Sequence, residues 1–238
     1  MTGLSRLDRP ELMDRPDAEP SRIRESLSDL RGVNRYLGGR AALLPGLERA
    51  WAGRRRGSSL SLLDVGTGAA DVPAWAAARA TSRGYAVTAV GLDRGRAAIE
   101  VARAAVRGAV PVKLVRGDGL ALPFRDGAFD VAMSSTTLHH FSGEAAVRFL
   151  TELRRVARRG VVIADLRRSV LGYLGARLLA ATAWRRHRYA RHDGPASVRR
   201  AYTVSEVRGL LKAACLDGEV RRRPFFRLSV WIAVESER

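Results

Sequence analysis

Short apolar runs alternate with amphipathic stretches between Leu60 and Leu166, and this alternation constrains the fold more than any other feature of the chain. Five runs have the length and composition of buried strands: 61–65, 85–92, 112–116, 129–134 and 160–166. The stretches between them repeat apolar residues at helical spacing over 69–81, 96–106 and 143–158. Strands that alternate with helices in this way predict βαβ units, and therefore an α/β domain built on a parallel sheet.

The sequence on either side of this region predicts further elements. Apolar spacing over 21–51 predicts two helices that are broken near Gly38 and Gly39, and residues 169–184 predict another helix. Thr203-Val-Ser-Glu206 matches a capping box, so a helix is expected to begin there. The final stretch GEVRRRPFFRLSVWIAVES predicts two strands with a proline between them.

These patterns divide the chain into three parts. Residues 1–20 are polar and proline-rich, so we expect a flexible N-terminal segment. Residues 21–56 form a helical segment, and residues 57–238 form one domain with a helical insertion at about 167–202. The 238 residues suffice for one large α/β domain with a full core.

The net charge of +18 would ordinarily point to nucleic acid or another anionic partner. However, Lys113 and Lys212 are the only lysines, and 42 basic residues minus 2 leaves 40 arginines. A GC-rich genome enriches arginine together with alanine, whereas selection for a polyanion would use both basic residues. The charge therefore counts for little as evidence of nucleic-acid binding.

Cysteine content and hydropathy bear on the cellular compartment of the protein. Cys215 is the only cysteine, which excludes an internal disulfide and a cysteine-based metal cluster. No apolar run approaches the roughly 20 residues of a membrane-spanning helix. The first residues lack the apolar core of a secretory signal, so we expect a cytoplasmic protein.

A glycine-rich loop joins the first predicted strand to the first helix in Asp64-Val-Gly66-Thr-Gly68-Ala-Ala-Asp71. Glycines at this place let the backbone turn tightly and approach a ligand. The G-x-G-x-x-G motif of nicotinamide enzymes fails because Asp71 stands at its third glycine, and no Gly-Lys-Ser/Thr follows to make a Walker loop. The alternative is a purely structural turn.

Acidic residues at the strand ends strengthen the case for a ligand. Asp93 ends the second strand, Asp118 follows the third, and Asp130 opens the fourth. A carboxylate at the position of Asp93 in a doubly wound sheet can accept hydrogen bonds from both ribose hydroxyls. Each acid alone could be a cap or a solvated turn residue, but the three in this order favour a nucleoside-binding site.

Four segments of the chain resemble a known family of enzymes. DVGTGAAD, GLD, GDGLALPFRDGAFDVAMSSTTLHHF and ELRRVARRGVVIAD are similar to the S-adenosylmethionine (SAM)-dependent methyltransferases of the ubiquinone/menaquinone-biosynthesis type. The resemblance covers roughly Leu60 to Asp165. It implies the class I fold: a Rossmann-like, doubly wound, seven-stranded α/β sheet with the last strand antiparallel. Ala70 stands where the family usually has a third glycine of the motif.

Roles follow from the resemblance position by position. Asp64, Gly66 and Gly68 would surround the methionine part of SAM, and Asp93 would hold the ribose hydroxyls. Asp118 would face the adenine amino group, with Gly119 and Leu120 against the ring, and Ser134 and Ser135 would lie near the sulfonium.

Three residues are candidates for the chemistry of transfer. His139 and His140 follow the fourth strand, and Asp165 ends the fifth, so the sheet brings them to one edge. A histidine backed by a carboxylate is an oriented general base, and the resemblance favours His139, which favours O-methylation over C-methylation. The histidines could instead only hold the loop. Displacement at a sulfonium needs no metal, and we predict none.

The insertion at 167–202 is expected to close over the acceptor as a lid. Its apolar residues, including Leu179 and Trp184, indicate a small apolar or aromatic acceptor that is phenolic, quinone or polyketide-like. The arginine run 185–191 could meet a carboxylate, a carrier protein or an anionic membrane surface, or it could be a solvated face.

Two other functions remain open. An RNA methyltransferase would suit the charge, but Ser134-Ser-Thr-Thr replaces the Asn/Asp-Pro-Pro-Tyr/Phe of base methylases, and no aromatic residues interleave the arginines. A non-catalytic SAM-binding accessory protein is the second alternative, because methyl transfer needs few obligatory side chains.

Overall fold

The computed structural model describes residues 3–106 and 112–234. Within them, seven strands form one sheet in the order β3-β2-β1-β4-β5-β7-β6. The strands are β1 Ser59–Val65, β2 Ala86–Asp93, β3 Val112–Arg116, β4 Phe129–Ser135, β5 Ala157–Leu166, β6 Glu219–Arg223 and β7 Arg227–Ala233. Only β7 runs antiparallel to its neighbours β5 and β6, as predicted for the class I fold.

Eight helices of the described residues flank this sheet. They are α1 Pro20–Tyr36, α2 Gly39–Trp51, α3 Asp71–Ser82, α4 Arg96–Ala105, α5 Gly143–Val156, α6 Val170–Ala181, α7 Arg188–Arg200 and α8 Val204–Ala213. The break between α1 and α2 lies at Gly38, whose φ of 79° is one that glycine adopts readily. Thr203 and Glu206 form the predicted capping box at the start of α8. No described helix is long and apolar enough to span a bilayer.

The core has two halves because successive strand residues face opposite sides of the sheet. Leu62 packs with α2 and α3 on one side, whereas Leu63 packs with α5 and α8 on the other. Both leucines are fully buried. The strands of a sheet covered on both faces read as continuous apolar runs, which explains why they are visible in the sequence.

The insertion holds one helix more than the sequence predicts. Helix α6 is shorter than the expected 169–184, and α7 occupies 188–200. Gly194 and Pro195 lie inside α7, and both weaken a helical pattern in the sequence. Tertiary packing against α6 and α1 stabilises the helix despite them.

Residues 3–19, here called the N-terminal segment, make specific contacts in the region for which the sequence predicts flexibility. They cross the carboxyl edge of the sheet, where Glu11 is only 4% exposed. The backbone N–H of Leu7 donates to the carbonyl of Arg199, and those of Leu12 and Met13 donate to the carboxylate of Asp193. Specific polar partners therefore hold a stretch that carries no hydrophobic pattern. Residues 1–2 and 235–238 of the predicted segments lie outside the described residues.

Candidate active site

A cavity of about 1550 Å³ lies at the carboxyl ends of β1, β2, β4 and β5. Strand β1 sits between β2 and β4, so the chain crosses to the other side of the sheet at this point. Doubly wound folds bind their ligands in the crevice that this reversal creates. Pockets for a single ligand measure roughly 300–1,000 Å³, so this cavity has room for two.

The glycine loop of 66–70 forms one wall of the cavity. Gly66 has a φ of 77° and Gly68 a φ of 51°, in the left-handed region that glycine tolerates. A Cβ on Gly66 would overlap the hydroxyl of Thr137 and lie 2.6 Å from its Cγ2. Glycine at 66 therefore lets two loops meet with exposed backbone between them. Ala70 caps helix α3 with a φ of 56°, which is strained for alanine.

The two acids of the first strands have different positions. Asp93 lines the cavity, where its carboxylate accepts hydrogen bonds of 2.9 Å from the N–H groups of Gly68 and Gly95. Asp64 lies beneath the loop, and one of its oxygens accepts the Thr67 hydroxyl at 2.8 Å. Burial raises the pKa of both carboxyls, that of Asp64 to about 7. Asp64 thus supports the loop from below, while Asp93 faces the ligand space.

The segment after β3 lines the cavity as the resemblance implies. Asp118, Gly119 and Leu120 all border it. The Asp118 carboxylate accepts the N–H of Leu120 at 2.9 Å. A Cβ on Gly119 would lie 3.1 Å from Val65 and 3.2 Å from Phe149, so the glycine lets this turn sit close to the sheet.

The end of β4 departs from the expectation. Ser134 is fully buried and its hydroxyl donates to the carbonyl of Val65 at 2.8 Å, which ties β4 to β1. Ser135 is also buried, 3.4 Å from the Thr136 hydroxyl. In the described residues the cavity is lined at this place by Thr136 and Thr137. Strand β4 ends at Ser135, one residue later than the sequence pattern indicates. The hydroxyl-bearing residues that line the cavity after β4 are therefore Thr136 and Thr137.

Asp130 belongs to the opposite edge of the sheet. Its carboxylate pairs with Arg54 at 3.0 Å and Arg158 at 3.1 Å, and it accepts the N–H of Ser61 at 2.8 Å. It therefore joins β1, β4 and the start of β5, and has a structural role.

His139 lies between two carboxylates at the cavity wall. Its Nδ1 is 2.7 Å from Asp165, which also accepts the His139 backbone N–H at 3.0 Å. Its Nε2 is 3.3 Å from Oε1 of Glu11. The imidazole is only 1% exposed. Burial would lower its pKa, but Asp165 and Glu11 together raise it to about 10. The predicted pair of His139 and Asp165 is present, and in this conformation its imidazole holds both protons at neutral pH.

His140 has a second pair of carboxylate neighbours. Its Nδ1 lies 2.6 Å from Asp14 and its Nε2 3.9 Å from the same Glu11 oxygen. Burial would raise the pKa values of Glu11 and Asp14, but His140 and His139 lower that of Glu11, and His140 with Arg94 and Arg200 lowers that of Asp14. Both acids are therefore ionised at neutral pH. The N-terminal segment thus supplies two charged groups to the site.

Arginines anchor this arrangement through backbone carbonyls. Arg200 donates to the carbonyl of His140 at 2.9 Å, and Arg6 donates to that of Phe141 at 2.8 Å. On the other side of Asp165, Arg227 is 1% exposed and donates to the carbonyl of Leu37 at 2.9 Å. Burial lowers the pKa of Arg227 to about 10, so its guanidinium stays charged at neutral pH.

The far part of the cavity is apolar. Leu179 and Trp184 of the insertion border it, together with Ile23, Leu30, Val33 and Phe226. Other apolar residues of α6 face outward, since Leu171, Leu174 and Leu178 are exposed. The arginines of the run 185–191 are exposed as well.

Several residues of the site escaped the sequence reasoning. Glu11 and Asp14 belong to a segment without periodicity, and Thr136, Thr137 and Arg227 are ordinary polar residues in the sequence. One available signal was the concentration of acids in the first 20 residues of a strongly basic chain.

Comparison with known proteins agrees with the fold and the glycine loop. Residues 63–164 match the family model described as a methyltransferase domain. No curated protein matches the chain at the sequence level.

Solved structures share the fold at low identity. A SAM-dependent methyltransferase from Aquifex aeolicus is 21% identical with a TM-score of 0.64, over 91% of this chain and 99% of that one. The plantazolicin methyltransferase BpumL, solved with S-adenosylhomocysteine (SAH) and a desmethyl-plantazolicin analogue, is 14% identical with a TM-score of 0.66, over 94% and 93%.

A third structure is a complex with apigenin. It is an O-methyltransferase family 2 protein from Planctomyces limnophilus in complex with apigenin, 18% identical with a TM-score of 0.64, over 92% of this chain and 63% of that one. Residues 63–164 therefore match a methyltransferase domain, and the described chain shares the class I fold of solved SAM-dependent methyltransferases.

Proposed function

We propose that the enzyme methylates an oxygen of a small apolar acceptor that carries a phenolic or enolic hydroxyl. The observation that carries this proposal is the His139–Asp165 pair, in which His139 lines the same cavity as the glycine loop. Thr137, two residues before His139, packs against Gly66. The pair therefore lies next to the cofactor side of the cavity.

The residues at the strand ends fit SAM. Exposed backbone at Gly66 and Gly68 suits the methionine part, and the Asp93 carboxylate suits two ribose hydroxyls. Asp118, Gly119 and Leu120 are assigned to adenine. Because Ser134 and Ser135 are buried, we transfer their role beside the sulfonium to Thr136 and Thr137. SAM supplies an electrophilic methyl group when bound.

The apolar part of the cavity is assigned to the acceptor. Leu179, Trp184 and Phe226 offer contacts to a ring, and the insertion and the N-terminal segment together cover it. Glu11 faces Nε2 of His139, which is the atom that an acceptor hydroxyl would have to reach. We propose that the acceptor displaces Glu11 when it binds.

This displacement would change the protonation of His139. Asp165 fixes the ring so that Nε2 faces the cavity, and loss of the Glu11 charge removes one of the two groups that raise the His139 pKa. The Nε2 proton would leave with Glu11 as its neutral acid, so that Nε2 of the neutral imidazole can accept the hydroxyl proton of the acceptor, and the oxygen becomes a better nucleophile as the imidazole takes that proton. A free phenol has a pKa near 10, so such help matters at neutral pH.

The test is turnover with SAM and a panel of phenols, quinols and enols of increasing apolar size. Mass spectrometry would detect the methylated product, and NMR would locate the methyl on oxygen or carbon. O-methylation of at least one apolar phenol is expected. Methyl on carbon alone would contradict the oxygen assignment.

The two other functions are tested in the same experiment. Transfer only to total RNA, with binding that weakens steeply as salt rises, would support an RNA substrate. SAH binding without turnover on any acceptor would leave an accessory protein. The apolar part of the cavity wall is unsuited to a polyanion, so we do not expect the first result.

A further inference from the structure

Three potential metal ligands converge at the wall of the cavity. Glu11, His139 and His140, here called the His–Glu cluster, each offer one ligand atom, and these atoms lie within 4.8 Å of one another. The cluster brings the N-terminal segment against the turn after β4. It is the one such group among the described residues.

Both imidazoles are oriented for ligation. Nδ1 of His139 is held by Asp165 at 2.7 Å, and Nδ1 of His140 by Asp14 at 2.6 Å. Histidines that bind metals almost always donate their other N–H to a carboxylate or carbonyl, which fixes the tautomer. Each pair leaves Nε2 directed toward the same oxygen of Glu11. That oxygen is itself fixed by the Ser197 hydroxyl at 2.7 Å.

The spacing suits a transition-metal ion. Zinc lies about 2.0–2.2 Å from nitrogen and oxygen ligands in tetrahedral sites, so neighbouring ligand atoms stand about 3.3–3.6 Å apart. Glu11 Oε1 is 3.3 Å from Nε2 of His139 and 3.9 Å from Nε2 of His140. Small side-chain movements would close the set around one ion.

The local charge also favours a cation. Three carboxylates, those of Glu11, Asp14 and Asp165, surround two imidazoles in a buried space. Arg94 lies 3.7 Å from Asp14 and offsets part of this charge, whereas the guanidinium groups of Arg6 and Arg200 bind backbone carbonyls of residues 139–141, and not the ligand atoms. A divalent ion would offset negative charge that burial makes costly.

We propose that Glu11, His139 and His140 bind one divalent transition-metal ion of the Zn²⁺ class, with a free coordination position open to the cavity. His₂Glu with one open position is a ligand set of catalytic zinc, and imidazole ligands disfavour Mg²⁺. All three residues line the cavity, so the open position faces the acceptor space.

This site goes beyond the proposed function, because its existence requires neither turnover nor a particular acceptor. Nε2 of His139 cannot bind a proton and a metal ion at once. In the loaded protein the ion, and not His139, would lower the pKa of an acceptor hydroxyl bound to it.

The test is metal binding to untagged, chelator-treated protein. Titration calorimetry with Zn²⁺ should show one site, and Co²⁺ should give the visible absorption bands of a tetrahedral ion. His140→Ala and Glu11→Gln should each weaken Zn²⁺ binding at least 100-fold, and Asp14→Asn about 10–100-fold, the usual effect of losing an outer carboxylate. His187→Ala is the matched control, since His187 pairs with Asp29 outside the cluster.

Absence of stoichiometric Zn²⁺ binding by the wild-type protein would overturn the proposal. So would Zn²⁺ affinity in folded His140→Ala or Glu11→Gln equal to that of His187→Ala. Circular dichroism of each variant checks folding, and the conservative Glu11→Gln keeps the shape of the side chain. Turnover of the metal-free enzyme is measured separately, so failure of the metal site and failure of O-methylation are distinguishable.

Discussion

Replacing Gly66 by alanine tests the close approach of two loops on which the cofactor side of the cavity depends. The substitution acts in two ways. An L-residue at a φ of 77° costs about 1–2 kcal/mol. The new Cβ would also overlap Thr137, 2.6 Å from Cγ2 and 3.0 Å from Cβ, and such overpacking typically costs about 1–3 kcal/mol.

The two effects give an expected loss of about 2–5 kcal/mol in the free energy of unfolding. Urea denaturation followed by circular dichroism would measure it. Gly209→Ala is the matched control, because a Cβ there meets nothing within 4 Å in the interior of α8. Alanine at 209 should stabilise the protein by up to about 1 kcal/mol, since it is the better helix former.

A double-mutant cycle separates the steric part from the backbone part. Thr137→Ala removes both the hydroxyl and Cγ2, so it should recover about 0.5–3 kcal/mol in the Gly66→Ala background, the range of coupling between residues in contact. The free-energy cost of placing alanine at the positive φ of residue 66 should remain. Equal unfolding free energies for Gly66→Ala and Gly209→Ala would refute the loop geometry.

Three further predictions concern the cofactor, the buried imidazole and the insertion. Asp93→Ala should weaken SAH binding by about 1–3 kcal/mol in calorimetry, whereas the exposed Asp126→Ala should leave it unchanged. Because the pKa of His139 is raised to about 10, the folded state holds a proton that the unfolded state lacks between about pH 6.5 and 10. Stability of metal-free protein should therefore fall as pH rises through that range, by up to about 1.4 kcal/mol per pH unit, and His139→Gln should abolish this contribution. Amide hydrogen exchange in 167–202 should slow when SAH and acceptor bind, and equal protection in both states would leave the insertion a scaffold.

The buried strands of the sheet can be recognised in the sequence for a physical reason. Strands covered on both faces must be apolar throughout, so β1, β2 and β4 stand out as runs such as 61–65. The glycines of the loop can also be recognised in the sequence, because Gly66 and Gly68 have positive φ and cannot be replaced without strain. The fold and the position of the glycine loop could therefore be predicted.

The polar contacts that close the site could not be predicted from the sequence. Glu11 reaches His139 across 128 positions of sequence, through contacts that follow no period. Its burial depends on hydrogen bonds from Ser197 and neighbouring imidazoles, none of which a local pattern reveals. The same holds for Ser134, whose burial follows from the exact end of β4.

The central proposal, oxygen methylation assisted by His139 and Asp165, is tested most directly by the turnover of His139→Gln in metal-free protein. With an apolar phenol as acceptor, kcat should fall about 10²–10⁴-fold, the usual contribution of general-base catalysis, while SAH affinity stays within a factor of about two. Asp165→Asn should lose less, because it disturbs the imidazole without removing it. Near-wild-type kcat in folded His139→Gln would contradict the account.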